Sequence, residues 1–311
     1  MSDWDQDEYV VVIGSSALDV KATVEAVPAA SANLPGSIRI GLGGVARNIA
    51  ECLARLEVPT ALISAVGSDM FSDYLWARTA NAGVNMAPTL RVAEGHVGAY
   101  VALFHSGGQR MAVADMKAFE HLTAAELLRH RALIAGARAV VIDNNLSDDG
   151  LARLIDICQS HGVSLTADPT SPYLAPRLLP HLGAIQLIAP NQAEAAVLCQ
   201  REIHHIDDAL QAAKQLVSAG VRMALVTMGD MGAVYATAYE SGHVRAPYVD
   251  VVDLTGGSDA MTATVVYSLI NDFPPDEAVR LAVTAAALTI TSEETVRDDL
   301  SLELLYDNMS G

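Results

Sequence analysis

Short β-branched segments alternate with helix-like segments along most of this 311-residue chain. Strands are predicted at residues 9–13, 61–66, 139–142, 164–167, 185–189 and 223–228. Apolar strands that alternate with helices pack as a mostly parallel sheet with helices on both faces. No repeat and no linker rich in Pro, Gly or Ser divides the chain. The pattern therefore predicts an α/β fold, and we expect residues 1–311 to form one domain.

Two segments interrupt this alternation. Residues 17–42 are polar and contain proline, and residues 97–114 alternate apolar with polar side chains. Period-two alternation is typical of strands that bury one face only. We therefore expect these two segments to pair as a small separate sheet.

Composition restricts the class of partner. The formal net charge of -18 gives a surface that repels phosphate backbones and anionic lipid, so neither nucleic acid nor membrane is expected as a partner. The first residues are acidic, unlike a secretory signal, which predicts a cytoplasmic protein. Cys52, Cys158 and Cys199 lie far apart in helix-like segments, which favours reduced core thiols over disulfides or a zinc site.

The most informative motif runs from a β-branched segment at 249–252 through a glycine turn into an apolar helix. Gly256, Gly257 and Ser258 are small enough for backbone N–H groups to face a phosphate at the helix N-terminus. The helix dipole adds roughly 0.3–1 kcal/mol of attraction. The motif therefore predicts a strand followed by an anion-binding cradle. Asp259 is either a capping carboxylate or a general base beside the phosphate.

A second glycine turn, Gly43-Gly44, precedes a helix that carries Asn48 in its first turns. Such a turn is typical of close packing or of a dinucleotide-binding loop. Ala46 stands where the third glycine of the dinucleotide pattern belongs, and no acidic ribose-binding residue follows at the expected distance. An NAD-linked oxidoreductase is the alternative that a cofactor titration would test.

Polar residues also follow several predicted strands, at the edge where open parallel sheets bind ligands. They are Asp19, Asn144, Asn145, Asn191, Glu194 and the glycine-containing turn at 227–232. Asn191 and Glu194, three residues apart at a helix start, form either a capping box or an oxygen-rich site that organises water around Mg²⁺. The turn at 227–232 suits either a bound nucleotide or a plain hairpin.

Taken in order, four motifs resemble those of the ribokinase-like (PfkB) carbohydrate kinases. They are Gly43-Gly44 with Asn48, Asn191 with Glu194, Thr227 with Gly229, and the segment 253–259. The match extends over essentially the whole chain, and details at 115–116, 168–171 and 292–296 are similar to the pseudouridine kinases of that family. The resemblance implies a three-layer α/β/α domain. It also implies a small β-sheet lid from about 17–42 and 97–114, and a homodimer formed through the lid.

The resemblance further implies transfer of the ATP γ-phosphoryl group to the 5′-hydroxyl of a nucleoside. Pseudouridine is the nucleoside that the resemblance favours. ATP and Mg²⁺ are the implied cofactors, and the family resemblance also admits a monovalent cation such as K⁺. The alternatives are another ribonucleoside or sugar as acceptor, or a ligand-binding protein on the same fold with weakened catalysis.

Individual roles follow from the same resemblance. Asp259 would be the catalytic base, with the anion hole formed by the amides of Gly256, Gly257 and Ser258. The substrate would contact Asp19, Gly43, Gly44, Arg47 as a spare cation, Asn48, Asp115, Asn144 and Asn145. ATP would contact Asn191, Glu194, Thr227, Gly229, Gly232 and Thr255, with Asn191 and Glu194 also positioning Mg²⁺ through water.

The chain departs from the family pattern at Ser258, where glycine is usual. If this position needs positive φ, a side chain costs about 1–2 kcal/mol and displaces an anion-hole amide. If it already has helical φ, the serine is harmless. Ala189 and Ala112 also replace residues that are common in the family or in its pseudouridine kinases, and these changes bear on the choice of nucleobase.

Overall fold

The structure, a computed structural model, describes residues 8–25, 33–105 and 108–309. Its strands are β1 Val10–Ile13, β2 Ala17–Val24, β3 Gly36–Gly43, β4 Thr60–Ile63, β5 Ala65–Val66, β6 Leu90–Arg91, β7 Gly98–His105, β8 Gly108–Asp115, β9 Ala139–Asp143, β10 Ser164–Asp168, β11 Leu187–Ile188, β12 Met223–Thr227, β13 Ala233–Thr237 and β14 Ser241–Val244. Its α-helices are α1 Val45–Arg55, α2 Met70–Asn81, α3 Ala124–Arg129, α4 Arg131–Ala135, α5 Asp148–His161, α6 Gln192–Cys199, α7 Ile206–Ser218, α8 Gly257–Ile270, α9 Pro275–Thr289 and α10 Leu302–Asn308. Short 3-10 segments lie at Lys117–His121, Ala175–Ala184 and Gly229–Met231.

The central sheet has the strand order β14-β13-β12-β11-β10-β9-β1-β4. Neighbouring strands from β12 to β4 run parallel, and β13 and β14 add an antiparallel edge. Because successive side chains of a strand point to opposite faces, Val11 and Ile13 of β1 belong to one buried cluster and Val10 and Val12 to the other. Both faces of the sheet are therefore covered.

Different helices cover the two faces. The cluster that holds Val10 and Val12 includes residues of α1, α8 and α9, whereas the opposite cluster includes residues of α3 to α7. This arrangement confirms the predicted three-layer α/β/α fold with a mostly parallel sheet. It also brings the N-termini of α1 and α8 to the edge where the parallel strands end, which is where ligands bind in such folds.

The four-stranded second sheet, here called the lid sheet, has the order β3-β2-β7-β8. It is built from the two segments that were predicted to form it. Within these segments, residues 26–32 and 106–107 lie outside the described residues. Asp19 and Lys21 of β2 share the face turned toward α8, as alternate residues of a strand do. The opposite face, here called the outer lid face, exposes the apolar side chains of Ile38, Ile40, Val101, Met111 and Val113.

The predicted strand at 249–252 is wrong. Among the described residues it pairs with no other strand, although Val251 and Val252 have the β-branched side chains that favour strands. The backbone N–H groups of Val252 and Asp253 instead donate to the Ile290 carbonyl oxygen at the end of α9. The antiparallel strands β13 and β14 already form that edge of the sheet, and residues 252–253 are bonded to the end of α9 instead.

The three cysteines are buried and free, in agreement with the predicted core thiols. The described part of the chain contains no helix with both the length and the apolar content that crossing a membrane requires.

Candidate active site

The turn into α8 places the positive backbone φ at Gly256 and not at Ser258. Gly256 has φ 85°, and a Cβ there would overlap the Thr295 carbonyl oxygen. Gly257 is packed almost as closely, since a Cβ would lie 2.9 Å from Ile290 Cγ2. Ser258 lies inside the helix with an exposed side chain and without positive φ. The departure from the family pattern at this position therefore does not disturb the turn.

The amides at the start of α8 are available to an anion. The first N–H groups of a helix have no intrahelical acceptor, and the first helical bond here is from the Ala260 N–H to the Gly256 carbonyl oxygen. The amides of Gly257 and Ser258 thus lie at the positive end of the helix dipole. We call Gly256, Gly257 and Ser258 the cradle.

Asp259 follows the cradle and is buried, with 5% of its surface exposed. Asn48 Nδ2 donates to its Oδ2 at 2.6 Å. Burial raises the pKa of Asp259 to about 7, and the nearby carboxylates of Asp19 and Asp143 act in the same direction, against the bond from Asn48. A carboxylate that titrates near neutral pH in a ligand-binding cleft is suited to general base catalysis.

The second glycine turn brings Asp19 close to the same place. A Cβ at Gly43 would overlap the Asp19 carboxylate, and a Cβ at Gly44, which has φ 93°, would lie 2.5 Å from the Ser15 carbonyl oxygen. Both positions therefore need glycine for close approach. Burial raises the pKa of Asp19 as well. Asp19, Gly43, Asn48 and Asp259 consequently form one continuous polar site.

Arg47 is not the spare cation that the sequence predicted. Its side chain is buried and forms an ion pair with Glu51 at 2.7 Å, one helical turn away. It also donates to the Gly43 carbonyl oxygen at 3.1 Å and to Asn48 Oδ1 at 2.5 Å. A buried guanidinium requires such partners. Arg47 therefore orients Asn48 and the glycine turn through these contacts.

Asn144 donates to neighbouring loops, but its buried Oδ1 has no hydrogen-bond partner within the described residues, so its contact with the base stays a prediction. Asn144 is fully buried, its N–H donates to Thr170 Oγ1, and its Nδ2 donates to the Leu174 carbonyl oxygen at 2.6 Å. Its side chain holds the loop after β10.

Asn145 is partly buried, and its N–H donates to Asp143 Oδ1. Asp115 is exposed at the end of β8, and within the described residues no hydrogen bond joins it to Asp19 or Asp259.

Sequence reasoning gave no role to Asp143, the residue before this pair. Its Oδ2 accepts the Ser15 N–H at 2.7 Å, the Ser15 hydroxyl at 2.5 Å and the Ala46 N–H at 3.3 Å. The carboxylate therefore joins the end of β1 to the start of α1, the helix that carries Asn48. Its position at the end of an apolar strand was the available signal, because such ends meet at the ligand-binding edge.

Asn191 and Glu194 form the capping box of α6. Asn191 Oδ1 accepts the Glu194 N–H, and Glu194 Oε2 accepts the Asn191 N–H at 2.8 Å. Glu194 is buried, and its charge lies near Asp168. Burial, with the Glu194 and Asp259 carboxylates, holds the pKa of Asp168 well above its ordinary range. Asp168, which the sequence singled out only within the motif at 168–171, is thus a second acidic neighbour of the site.

The carboxylates of this region have the donor chemistry that Mg²⁺ requires. Among the described residues, no three His, Cys, Asp or Glu side chains converge to hold a metal by themselves. Mg²⁺ in phosphoryl-transfer sites takes one or two carboxylates and completes its shell with water and phosphate oxygens. Glu194 and its neighbour Asp168 supply that donor set.

A cavity of about 590 Å³ adjoins the cradle. Its lining includes Thr227, Gly229 and Gly232 together with Gly257 and Ser258 of the cradle. The remaining lining is mostly apolar and includes Ala246, Pro247, Val249, Met261, Val283 and Ala286. An apolar cleft that ends in an anion cradle suits a flat heterocycle joined to phosphates. Thr255 is not part of this lining, and its hydroxyl accepts a hydrogen bond from Lys21 Nζ.

Residues 7–301 match the family model for pfkB family carbohydrate kinases. The chain belongs to the pfkB family. This pfkB kinase is 31% identical to pseudouridine kinase of Escherichia coli strain K12 over 96% of its own length and 95% of the relative. It superimposes on a putative sugar kinase from Clostridium perfringens with a TM-score of 0.83 and 26% identity, covering 97% and 96% of the two chains.

The fold of this pfkB kinase also matches a putative ribokinase II from E. coli, solved in complex with ATP and Mg²⁺. The TM-score is 0.82 at 22% identity, with 96% of this chain and 98% of the other covered. Family membership makes this protein a phosphotransferase that acts on a hydroxyl group of a sugar or nucleoside.

Proposed function

We propose that this pfkB kinase transfers the γ-phosphoryl group of ATP to the 5′-hydroxyl of pseudouridine. The observation that carries the proposal is the buried Asp259 carboxylate, bonded to Asn48 and directly following the cradle. A base and an anion site on one helix N-terminus are what hydroxyl phosphorylation needs. The 31% identity to pseudouridine kinase supports this nucleoside as the acceptor.

In the proposed reaction, Asp19 and Asn48 hold the ribose hydroxyls between the lid sheet and α1. Asp259 accepts the 5′-hydroxyl proton at Oδ1, which has only a long 3.4 Å hydrogen bond from the Ser258 hydroxyl, whereas Oδ2 accepts Asn48 Nδ2 at 2.6 Å. The 5′-oxygen then bonds to the γ-phosphorus while the bond to the β-phosphate oxygen breaks, and ADP leaves. The amides of Gly257 and Ser258 face the phosphoryl oxygens, so positioning and charge stabilisation do most of the catalysis.

ATP would lie in the cleft beside the cradle, with Thr227 and Gly229 against the nucleoside part. Glu194 and Asn191 would hold Mg²⁺ through water, with Asp168 beside them. Bound Mg²⁺ neutralises phosphate charge during transfer. The E. coli putative ribokinase II, solved in complex with ATP and Mg²⁺, supports this choice of cofactors.

A turnover assay tests the proposed function. Purified protein with ATP and Mg²⁺ is offered pseudouridine, uridine, inosine, adenosine and ribose, and products are identified by mass spectrometry. Pseudouridine should have the highest kcat/KM. A clear preference for another acceptor would reject pseudouridine while retaining the kinase. Binding of a nucleoside with no phosphorylated product from any of the five would favour a ligand-binding protein instead.

The rate should depend on pH through Asp259. A general base must be ionised, and the pKa of Asp259 is raised to about 7. We therefore expect kcat/KM to rise with pH below about 7 and to level off above it. Asp19→Asn removes a nearby like charge, so its profile should bend at lower pH even if its KM is higher. A profile that is flat from pH 5.5 to 8.5 in the wild type would contradict this role.

We further propose a homodimer formed through the outer lid face. Ile38 is 71% exposed, Met111 61% and Val113 58%, and these side chains share one face of a sheet. A continuous apolar surface of this kind marks an interaction site. The residues lie on the face opposite Asp19, so a partner there would leave the site accessible.

Charge on the outer lid face should separate the subunits. We expect Ile38→Lys combined with Val113→Lys to change the mass in solution from that of a dimer to that of a monomer. Light scattering after gel filtration measures this. Leu128→Lys, at a 45% exposed position on α3, is the matched control and should leave the mass unchanged. A wild-type protein that elutes as a monomer at micromolar concentration would refute the dimer.

A further inference from the structure

Lys21 joins the lid sheet to the segment that leads into the cradle. Its Nζ lies 2.5 Å from Asp253 Oδ2 and 2.5 Å from Thr255 Oγ1, although these residues are more than 230 positions away in the sequence. The side chain of Lys21 is only 14% exposed and that of Asp253 15% exposed. The ammonium is therefore largely enclosed between two parts of the molecule that meet only through the fold.

The contact of Lys21 holds the turn at residues 253–256 in one conformation. Asp253 Oδ1 accepts the Thr255 N–H at 3.0 Å, while its Oδ2 accepts Lys21 Nζ. Lys21, Asp253 and Thr255 thus close a small hydrogen-bonded ring. The residue that follows the ring is Gly256, whose left-handed φ directs the next amides into the cradle. Any rotation of Thr255 would move those amides.

The same strand holds the proposed substrate-binding carboxylate. Lys21 lies two residues after Asp19 on β2, so both side chains are on one face. A shift of β2 would therefore move Asp19 and release the ring at the same time. Arg39 lies opposite Lys21 on the neighbouring strand β3, and its side chain makes looser contacts. Its guanidinium is 46% exposed and lies 3.8 Å from Asp253 and 3.2 Å from Glu293.

We propose that Lys21 is a positioning residue that makes the cradle depend on the position of the lid sheet. Its ammonium fixes Asp253 and Thr255 and so the turn at Gly256. A nucleoside held by Asp19 would fix β2 and, through Lys21 on the same strand, the turn that receives ATP. The coupling to a nucleoside rests on the proposed function, whereas the contact itself does not.

Hydrogen exchange in the ligand-free protein tests the contact without any substrate. Bonds to charged groups are strong, so Lys21→Met should make the bonded amides of Thr255 and Ala260 exchange about 10- to 100-fold faster. Lys21→Arg should restore part of the protection. Arg39→Met, the matched loss of a lid-sheet cation, should exchange like the wild type. Thr255→Val removes one of the two bonds without removing the charge and should give an intermediate rate.

Binding measurements test the coupling. In the wild type, pseudouridine should tighten the binding of a non-hydrolysable ATP analogue by about 5- to 150-fold, the usual range for coupled sites. Lys21→Met should abolish most of this factor, and Arg39→Met should keep it. A general loss of stability would not explain a coupling factor that falls in Lys21→Met and is kept in Arg39→Met.

Wild-type exchange and an unchanged coupling factor in Lys21→Met would overturn the proposal. If the wild type phosphorylates none of the five acceptors, the proposed function fails, yet the exchange rates still decide whether Lys21 supports the cradle. Should Lys21→Met not fold, Thr255→Val and Lys21→Arg carry the same comparison, and wild-type exchange in Thr255→Val would count against the proposal.

Discussion

Replacing Asp259 with asparagine should lower kcat by about 10²- to 10⁴-fold, the usual contribution of a positioned general base. The amide cannot accept the hydroxyl proton, but it keeps the shape of the side chain and can still accept the bond from Asn48. Nucleoside and ATP should therefore still bind, so KM should change much less than kcat. Steady-state kinetics with pseudouridine and ATP measure both.

An exposed carboxylate provides the control for this variant. Asp156 lies on α5 with a 66% exposed side chain, and Asp156→Asn should leave kcat unchanged. An Asp259→Asn enzyme that keeps wild-type kcat would remove Asp259 from the reaction. The cradle would then be an anion-binding site without its base.

The same substitution should make the protein more stable at alkaline pH. Because the pKa of Asp259 is raised to about 7 in the folded state, its contribution to stability is complete below the unfolded value of 3.8 and is lost as pH rises through 7. Asparagine carries no charge to desolvate. At pH 8, Asp259→Asn should therefore have a higher Tm than the wild type. The difference in Tm between the two proteins should shrink toward pH 4. Calorimetry at the two pH values separates this effect from a general change in folding.

Gly256→Ala should be the most damaging single change in the cradle. Two effects combine, since an alanine at φ 85° is strained by about 1–2 kcal/mol and its Cβ would overlap the Thr295 carbonyl oxygen. The turn must move, which takes the Gly257 and Ser258 amides away from the phosphoryl oxygens. Loss of one such donor lowers kcat by about 10²- to 10³-fold. Kinetics and thermal unfolding are measured on the same preparation.

Gly162→Ala is the matched control for the strain alone. Gly162 ends α5 with φ 70°, and a Cβ there would meet nothing within 4 Å. It should lower Tm through backbone strain and leave kcat intact. If Gly256→Ala reduced kcat no more than Gly162→Ala, the position of the Gly256 turn would not matter to the reaction.

Much of the site was predictable from local pattern. The strands predicted at 139–142 and 164–167 end within one residue of the observed strands, because apolar and β-branched patterning is contained in the segment itself. The glycines before Asn48 and Asp259 were informative for the same reason, since a turn that enters a helix is a local structure. Which residue of the cradle carries the positive φ was not predictable, because the turn at Gly256 packs against Thr295, which is distant in the sequence.

Other errors came from interactions that a local pattern does not contain. Residues 249–252 have strand propensity, yet the place beside the sheet is taken by β13 and β14. Arg47 was predicted to be free, although Glu51 four residues later is the spacing at which helix side chains meet. Tertiary packing also decides the surroundings of Asn144, whose Nδ2 donates to the Leu174 carbonyl oxygen, while its predicted contact with the base stays a prediction.

By itself, the sequence determined the layered fold, the order of the motifs and the residue types at the cradle, because periodicity and glycine turns act over a few neighbouring residues. Only the tertiary structure decided that Asn48 bonds Asp259, that burial brings the pKa of Asp259 near neutral pH, and that Lys21 reaches Asp253. Burial and charge proximity depend on segments separated by about two hundred residues, and their distances exist only once the chain has packed.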